Sequence, residues 1–417
     1  MAEDGHLDGY LTQVSVILMD FFLNIFDNYP MNTINRTSPY QGFEQGPIRP
    51  PSEAQSLLVR VTRNCHWNRC AFCPVYKGAR FSIRPVEQVL HDLDSVAHHV
   101  ENLVLLSAGP GLLMEEDIRE AFNVLPTEET ASFRAALSWY RSGMESVFLQ
   151  DADSLVLRPA RLIEILKHLK ELFPLVKRIT SYSRSDTIDR MPSDQLLALA
   201  EAGLNRIHIG MESGCDAVLA MMNKGATKEV HVRAGLKVKA AGMELSEYYM
   251  PGLGGIDLWR EHAQDTADAM NRINPDFIRL RTLAIPERTP LAGEVRDGRF
   301  RKCPDPLAAE EILLFLDILE GVTGYLASDH VLNLFPELEG HLPGDLQRMR
   351  DLIWGFLTME PHRRFIYQLG RRLGILSRLG DVDDPGRRAE VQEAARRLGV
   401  TPENLDAISD AIVRRFI

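Results

Sequence analysis

From about residue 56 to 283 the chain alternates between short apolar runs and longer stretches whose apolar residues recur at three- and four-residue steps. The short runs read as buried strands and the longer ones as amphipathic helices. Strands are predicted at about 56–64, 146–153, 176–184, 205–213, 243–252 and 276–283. Helices are predicted over about 86–107, 158–173, 193–203, 214–222, 227–241 and 257–272, with two more over 112–142. The end of the first helix, Asn102 to Ala108, would serve equally as a strand. Apolar strands alternating with helices demand a parallel sheet covered by helices. The pattern therefore predicts an α/β fold, a partial (β/α)6 TIM-like barrel open on one side.

The flanks read differently. Residues 1–55 form an N-terminal segment: apolar helices over 1–30, then an extended arm rich in Pro, Gly, Asn and Ser. The barrel spans 56–290, with a helical insertion at about 108–145. A helical extension over 291–380, with 304–380 expected all-helical, and a small helical tail over 381–417 follow. The most apolar stretch, Val14 to Phe26, is too short to span a bilayer and is interrupted by Asp20 and Asn24. It reads as a helix docked on the body of the protein, with no membrane partner. The formal net charge of −11 argues against a general nucleic-acid coat. The arginines between Arg363 and Arg378 read as a solvated face that could alternatively hold a phosphate-bearing ligand.

The candidate chemistry starts at Cys65, Cys70 and Cys73, three of the five cysteines, packed into nine residues. Thiolates this dense repel one another unless a cation holds them, which points to zinc or an iron–sulfur cluster. A structural zinc site wants four ligands, and no second pair follows. Three cysteines without a fourth suit a 4Fe–4S cluster with one iron open to a small molecule. Structural zinc and unligated core cysteines stay open at this point. Unpaired cysteines and an oxygen-sensitive cluster both fit a reducing, cytoplasmic setting.

The triad follows the apolar run Leu57 to Thr62 and carries Phe72 just before its third cysteine. In this it resembles the radical S-adenosylmethionine (SAM) superfamily, with a Cys-x4-Cys-x2-Cys variant of the usual spacing. Leu204 to Gly214 is similar to the fourth strand of the branch that holds oxygen-independent coproporphyrinogen oxidase, the methylthiotransferases and the Elongator catalytic subunit. The resemblance implies that Cys65, Cys70 and Cys73 hold the cluster and that Glu212 binds the SAM ribose. It implies Lys224 on the SAM carboxylate, with Arg184 beside Ser183 as another candidate. Asp151 and Asp153 stand where the branch carries its Gly-Gly-Glu motif for the methionine amino group, though both glycines are absent. Glu247 and the turn through Pro251 and Gly252 resemble the loop that backs the adenine. His208 shares strand phase with Glu212 and reads as a barrel-core histidine. Arg279 and Arg281 alternate on the sixth strand, and Asp329 and His330 are candidate substrate contacts.

The resemblance further implies reductive cleavage of SAM to a 5'-deoxyadenosyl radical, which abstracts hydrogen from a small-molecule substrate. The electron would come from a donor such as flavodoxin or ferredoxin. Two other readings remain: radical modification of tRNA or protein, and a non-catalytic protein whose triad binds structural metal.

Overall fold

The computed structural model describes residues 40, 42–107 and 113–414. The helices expected over 1–30 and the start of the arm lie outside the described residues. Among the described residues ten strands form: Leu57–Arg60 (β1), Thr62–Arg63 (β2), Ser82–Ile83 (β3), Ser146–Gln150 (β4), Arg178–Ser183 (β5), Arg206–Glu212 (β6), Glu244–Tyr249 (β7), Phe277–Leu280 (β8), Tyr325–Ala327 (β9) and Gly340–His341 (β10). Eight of them make one sheet in the order β1-β4-β5-β6-β7-β8-β9-β10. Every neighbouring pair from β1 to β9 is parallel, and β10 closes the edge antiparallel to β9. This is the partial TIM-like barrel that the alternation predicts.

Helices Val86–Leu106 (α1), Glu115–Asn123 (α2) and Thr130–Arg141 (α3) precede β4. The Asn102 to Leu106 stretch is therefore the end of a helix. Pro159–Leu172 (α4), Ser185–Arg190 (α5), Ser193–Glu201 (α6), Asp216–Met221 (α7), Lys228–Ala240 (α8) and Gly255–Ile273 (α9) connect the next strands. Then come Pro290–Arg296 (α10), Asp305–Ile318 (α11), Leu346–Leu357 (α12), Pro361–Arg372 (α13), Pro385–Leu398 (α14) and Leu405–Arg414 (α15).

The stretch 304–380 is not all-helical. It contributes β9, a seventh parallel strand, which pairs Tyr325 with Phe277 and Leu326 with Ile278. Three residues are too few to show strand periodicity in the sequence. The strand enters through Gly324, where a Cβ would lie 2.2 Å from the carbonyl oxygen of Pro275, so only glycine lets the two backbones pass this closely.

Alternation along the strands sorts two layers. Val147, Leu149, Ile207, Ile209, Leu245 and Ile278 join the core beneath the helices. Phe148, Tyr182, His208 and Tyr248 face the other way and fill the lumen with rings 5.3–6.2 Å apart. His208 is thus a barrel-core residue, as its strand phase predicts. The arm runs down this lumen face. Glu44 meets Arg60 at 2.8 Å, Gly46 exchanges hydrogen bonds with the Gln150 amide, and Glu53 reaches within 3.4 Å of His208. Burial alone would raise the Glu53 pKa, but hydrogen bonds from His208 and Ser56 bring it down to about 2. Burial pushes His208 down to about 4 against the pull of Glu53. Burial and the Arg281 charge do the same to His330.

These histidines make stability pH-dependent. Their folded pKa values lie below the ordinary 6.5, so between pH 6.5 and 4 these two side chains bind more protons in the unfolded chain than in the native one. Their contribution to stability is fully present above pH 6.5 and falls as pH drops towards 4, by on the order of a few kcal/mol in total. Buried Asp153, raised to about 7, works the other way, so the difference between variants carries the test: the urea midpoint of the metal-free chain should lose less between pH 7 and 4.5 in His208→Gln and His330→Gln than in the wild type. Equal losses would contradict the burial of neutral His208 and His330.

Candidate active site

The cysteine loop is closed at its neck. β2 and β3 pair Thr62 with Ile83 and Arg63 with Ser82, which brings together the two ends of the segment carrying all three cysteines. The predicted first strand therefore stops at Arg60 and gives way to this small separate sheet. Asn64 and Asn68 turn the loop with left-handed φ of 67° and 43°, a region asparagine tolerates better than most residues. Asn68 donates its backbone N–H to Cys65 Sγ (3.4 Å) and its side-chain amide to the carbonyls of Tyr76 (2.5 Å) and Ala79 (3.3 Å).

The loop docks on the turn after α7. Ala71 N–H donates to the Met222 carbonyl and Trp67 Nε1–H to the Asn223 carbonyl, both at 2.8 Å. Gly225 has φ 74°, and a Cβ there would lie 2.3 Å from the Trp67 ring. Arg184 stacks over the same ring at 5.0 Å and donates to the Lys224 carbonyl at 2.7 Å.

The three thiols share one environment. Burial pushes the Cys73 thiol up to about 11, and Cys70 and Cys65 push the same way. Thiols held this way need a cation to become thiolates. An iron–sulfur cubane takes each thiolate on a different iron, so the donor set of the loop fits it.

Beside the docked loop, β6 ends in a register shift between Ile209 and Glu212, and Glu212 itself has φ 66°. Such an irregularity re-aims a side chain. Glu212 Oε1 lies 3.5 Å from Lys224 Nζ, while Oε2 is buried without a hydrogen-bond partner. A Cβ on Gly210 would lie 2.5 Å from Glu212 Oε1 and 3.3 Å from Lys224 Nζ. Gly210 thus leaves the cradle in which these two side chains meet. An orphan acceptor beside an ammonium suits a ligand that carries hydroxyls and a carboxylate, as SAM does.

The other sequence candidates are placed less uniformly. Asp153 is buried and accepts from Ser183 Oγ (2.8 Å) and Thr187 Oγ1 (2.6 Å), with His66 at 3.5 Å. Burial pushes its carboxyl up to about 7. Asp151 accepts from Arg60 Nε at 2.7 Å and from the Asn64 backbone at 3.1 Å, which engages it in holding the start of the cysteine loop. Arg184 Nε donates to Asp186 at 2.8 Å. Glu247 pairs in register with Ile209 and Ile278 and so faces the helix layer; both its oxygens are unpartnered, and burial raises its pKa well above the ordinary value. Pro251 lines a cavity of about 50 Å³ with Arg281, Ser328 and Asn333, room for water but not for SAM. Gly252 N–H donates to the Glu311 carboxylate at 3.1 Å.

That carboxylate belongs to a group the sequence did not reveal. Glu311 also accepts from Tyr249 Oη (2.7 Å) and lies 2.9 Å from His262 Nδ1, while His262 Nε2 lies 3.2 Å from the Glu212 carbonyl. A lone Glu and a lone His on apolar helix faces were the signal available. Their pairing needs α11 laid against α9.

A model of the radical SAM superfamily matches residues 59–268, half of the chain. The chain belongs to the radical SAM superfamily. It is a radical SAM enzyme whose cofactors are a 4Fe–4S cluster and SAM. The 4'-phospho-dehydrooxetanocin synthase of Priestia megaterium is 28% identical over 194 residues, which cover 46% of this chain and 22% of that protein. The matched part thus spans about a fifth of the relative's length. Among solved structures, coproporphyrinogen III oxidase (HemN) of Escherichia coli is 16% identical, with 63% of this chain and 52% of that chain covered and a TM-score of 0.42. The radical SAM methyltransferase TsrM of Kitasatospora setae is 16% identical, with 59% and 40% covered and a TM-score of 0.40. Among the described residues no helix is long and apolar enough to cross a membrane.

Substituting Gly225→Ala should force Trp67 off the turn and loosen the cysteine loop. The expected result is less iron and sulfide retained after anaerobic reconstitution, with a changed near-ultraviolet signal from Trp67. Full retention would show that the docking does not support the cluster.

Proposed function

We propose that this radical SAM enzyme acts on a small molecule, with Cys65, Cys70 and Cys73 holding the cluster and Glu212 and Lys224 holding SAM. The cluster held by the triad would supply one electron to the SAM sulfonium, breaking its S–C5' bond so that methionine leaves and a 5'-deoxyadenosyl radical would take a hydrogen atom from the substrate. The observation that carries the reading is the docking of the cysteine loop on the 222–225 turn, which sets the triad beside Glu212 and Lys224.

The chain's own residues divide the work. Glu212 accepts hydrogen bonds from ribose hydroxyls through its orphan Oε2. Lys224, over the Phe72 ring at 5.8 Å, pairs with the carboxylate. Asp153, steadied by Ser183 and Thr187, is the remaining candidate for the methionine ammonium. Asp151, Arg184, Glu247 and Gly252 act through position instead, since each is engaged by protein groups or turned to the helix layer. The Glu311–His262 pair fixes both the Gly252 turn and the Glu212 carbonyl. The packed lumen rings and the arm exclude water from below.

A small molecule is favoured over RNA because two central arginines of the basic stretch are already engaged. Arg371 donates to the carbonyls of Leu334, Asn333 and Leu376, and Arg372 to the Leu332 carbonyl and Asp305. They bind protein rather than forming the solvated face expected from sequence. The name of the Priestia relative, a synthase of 4'-phospho-dehydrooxetanocin, also supports a small molecule.

After anaerobic reconstitution and reduction, wild-type protein should release 5'-deoxyadenosine from SAM, and Cys70→Ala should release none. Glu212→Gln should keep its cluster but bind SAM about tenfold more weakly, the loss of roughly 1.4 kcal/mol. Equal SAM affinity in Glu212→Gln would remove Glu212 from the site.

A further inference from the structure

Arg279 lies on the lumen side of β8, in register with Tyr248 on β7, and Arg281 follows one residue past the strand end in the same phase. Asp329, just beyond β9, holds both. It accepts from Arg279 Nη1, and from Arg281 Nη1 at 2.8 Å. Arg279 Nε donates to Ser246 Oγ at 3.1 Å, and Arg281 Nη1 also reaches the Leu280 carbonyl at 3.2 Å. The Arg281 guanidinium lies 4.5 Å from the centre of the Tyr248 ring, which fixes its plane.

Two features of this arrangement are unspent. Two guanidinium cations share one carboxylate, so one positive charge is left over at side chains only 7% and 13% exposed. A desolvated excess charge is unfavourable unless an anion joins it. Donors are also left over. Arg279 Nη2 and Arg281 Nε and Nη2 make no hydrogen bond among the described residues. Beside them His330 Nδ1 is buried without a partner. Tyr182 is acted on by both the Arg281 and the Glu212 charges, so the pair stands within electrostatic reach of the proposed SAM side.

We propose that Arg279 and Arg281 form an oxyanion subsite in the barrel mouth, which anchors a small substrate through a phosphate or carboxylate group. Asp329 holds the two guanidiniums side by side, so that their free N–H groups present a fork to two oxygens of one anion. This inference deepens the small-molecule reading and rests on it for the location of the substrate.

The test uses reconstituted full-length protein and phenylglyoxal, which modifies free guanidiniums. Labelling is followed peptide by peptide by mass spectrometry in chloride, inorganic phosphate and succinate at equal ionic strength. Phosphate or succinate should slow labelling of Arg281 and Arg279 severalfold, while the exposed Arg299 and Arg301 label at the same rate in all three salts. Protection by phosphate alone assigns a phosphate ester, and protection by succinate alone assigns a carboxylate. Equal rates for Arg281 and Arg279 in all three salts overturn the proposal, because the arginines then only strap β8 to the 328–335 loop. In equilibrium dialysis, Arg281→Gln should weaken phosphate binding about tenfold, the loss of one charge-assisted contact; unchanged binding also overturns it. Labelling of the wild type decides the matter even where that variant does not fold. SAM binding by the wild type, measured by dialysis alone, separates the two readings: protein that binds SAM while Arg281 gains no protection loses this subsite and keeps the radical SAM reading.

Discussion

The structure depends on one docking contact, the cysteine loop seated on the turn that follows α7. Three thiols near one another, with burial pushing Cys73 up, are unfavourable as thiolates until a cation joins them, so the fold has to hold the loop by other means. It does so with a two-strand neck at Thr62 and Ile83, with Asn68 bracing the loop from within, and with Trp67 packed over Gly225. The same contact sets the distance between the triad and Glu212 and Lys224. The proposed cluster and SAM sites are in this sense one object, assembled where a strand-end loop meets a glycine turn.

The barrel around it is built to keep that mouth rigid and dry. Phe148, Tyr182, His208 and Tyr248 fill the lumen, and the arm closes it from below through Glu53. The extension reaches back from the other side. Glu311 ties the Gly252 turn to His262, and Arg371 and Arg372 fasten α13 to the 332–334 carbonyls at the rim. Regions outside the barrel pattern therefore shape the site from a distance. The arginine pair on β8 sits where these parts meet.

Much of this was legible in the sequence. The alternation of apolar runs and helical periods identified six parallel strands, because long periodic segments leave a repeated trace. The triad was legible because cysteines that close together have few physical explanations. β9 was not legible, since three residues carry no period, and Gly324 marks it only once the Pro275 carbonyl is known to lie there. Side-chain partners were legible least of all. Asp151 and Asp153 look alike in the sequence, yet one is engaged by Arg60 and the other by Ser183 and Thr187. Glu247 sits one strand from Glu212 but faces the helices, because a single-residue change of phase turns a side chain to the other side of a sheet. Arg371 and Arg372 read as a charged face until the carbonyls they bind are in view.

The central claim is that the triad carries a cluster with one iron open to the SAM that Glu212 and Lys224 hold. The most direct measurement is the electron paramagnetic resonance spectrum of the reduced, reconstituted protein with and without SAM. A ligand arriving at the open iron changes the symmetry of the cluster, so the account predicts a signal that shifts on adding SAM. A reduced cluster whose spectrum is indifferent to saturating SAM, or a protein that reconstitutes with zinc and gives no cluster signal, would contradict it.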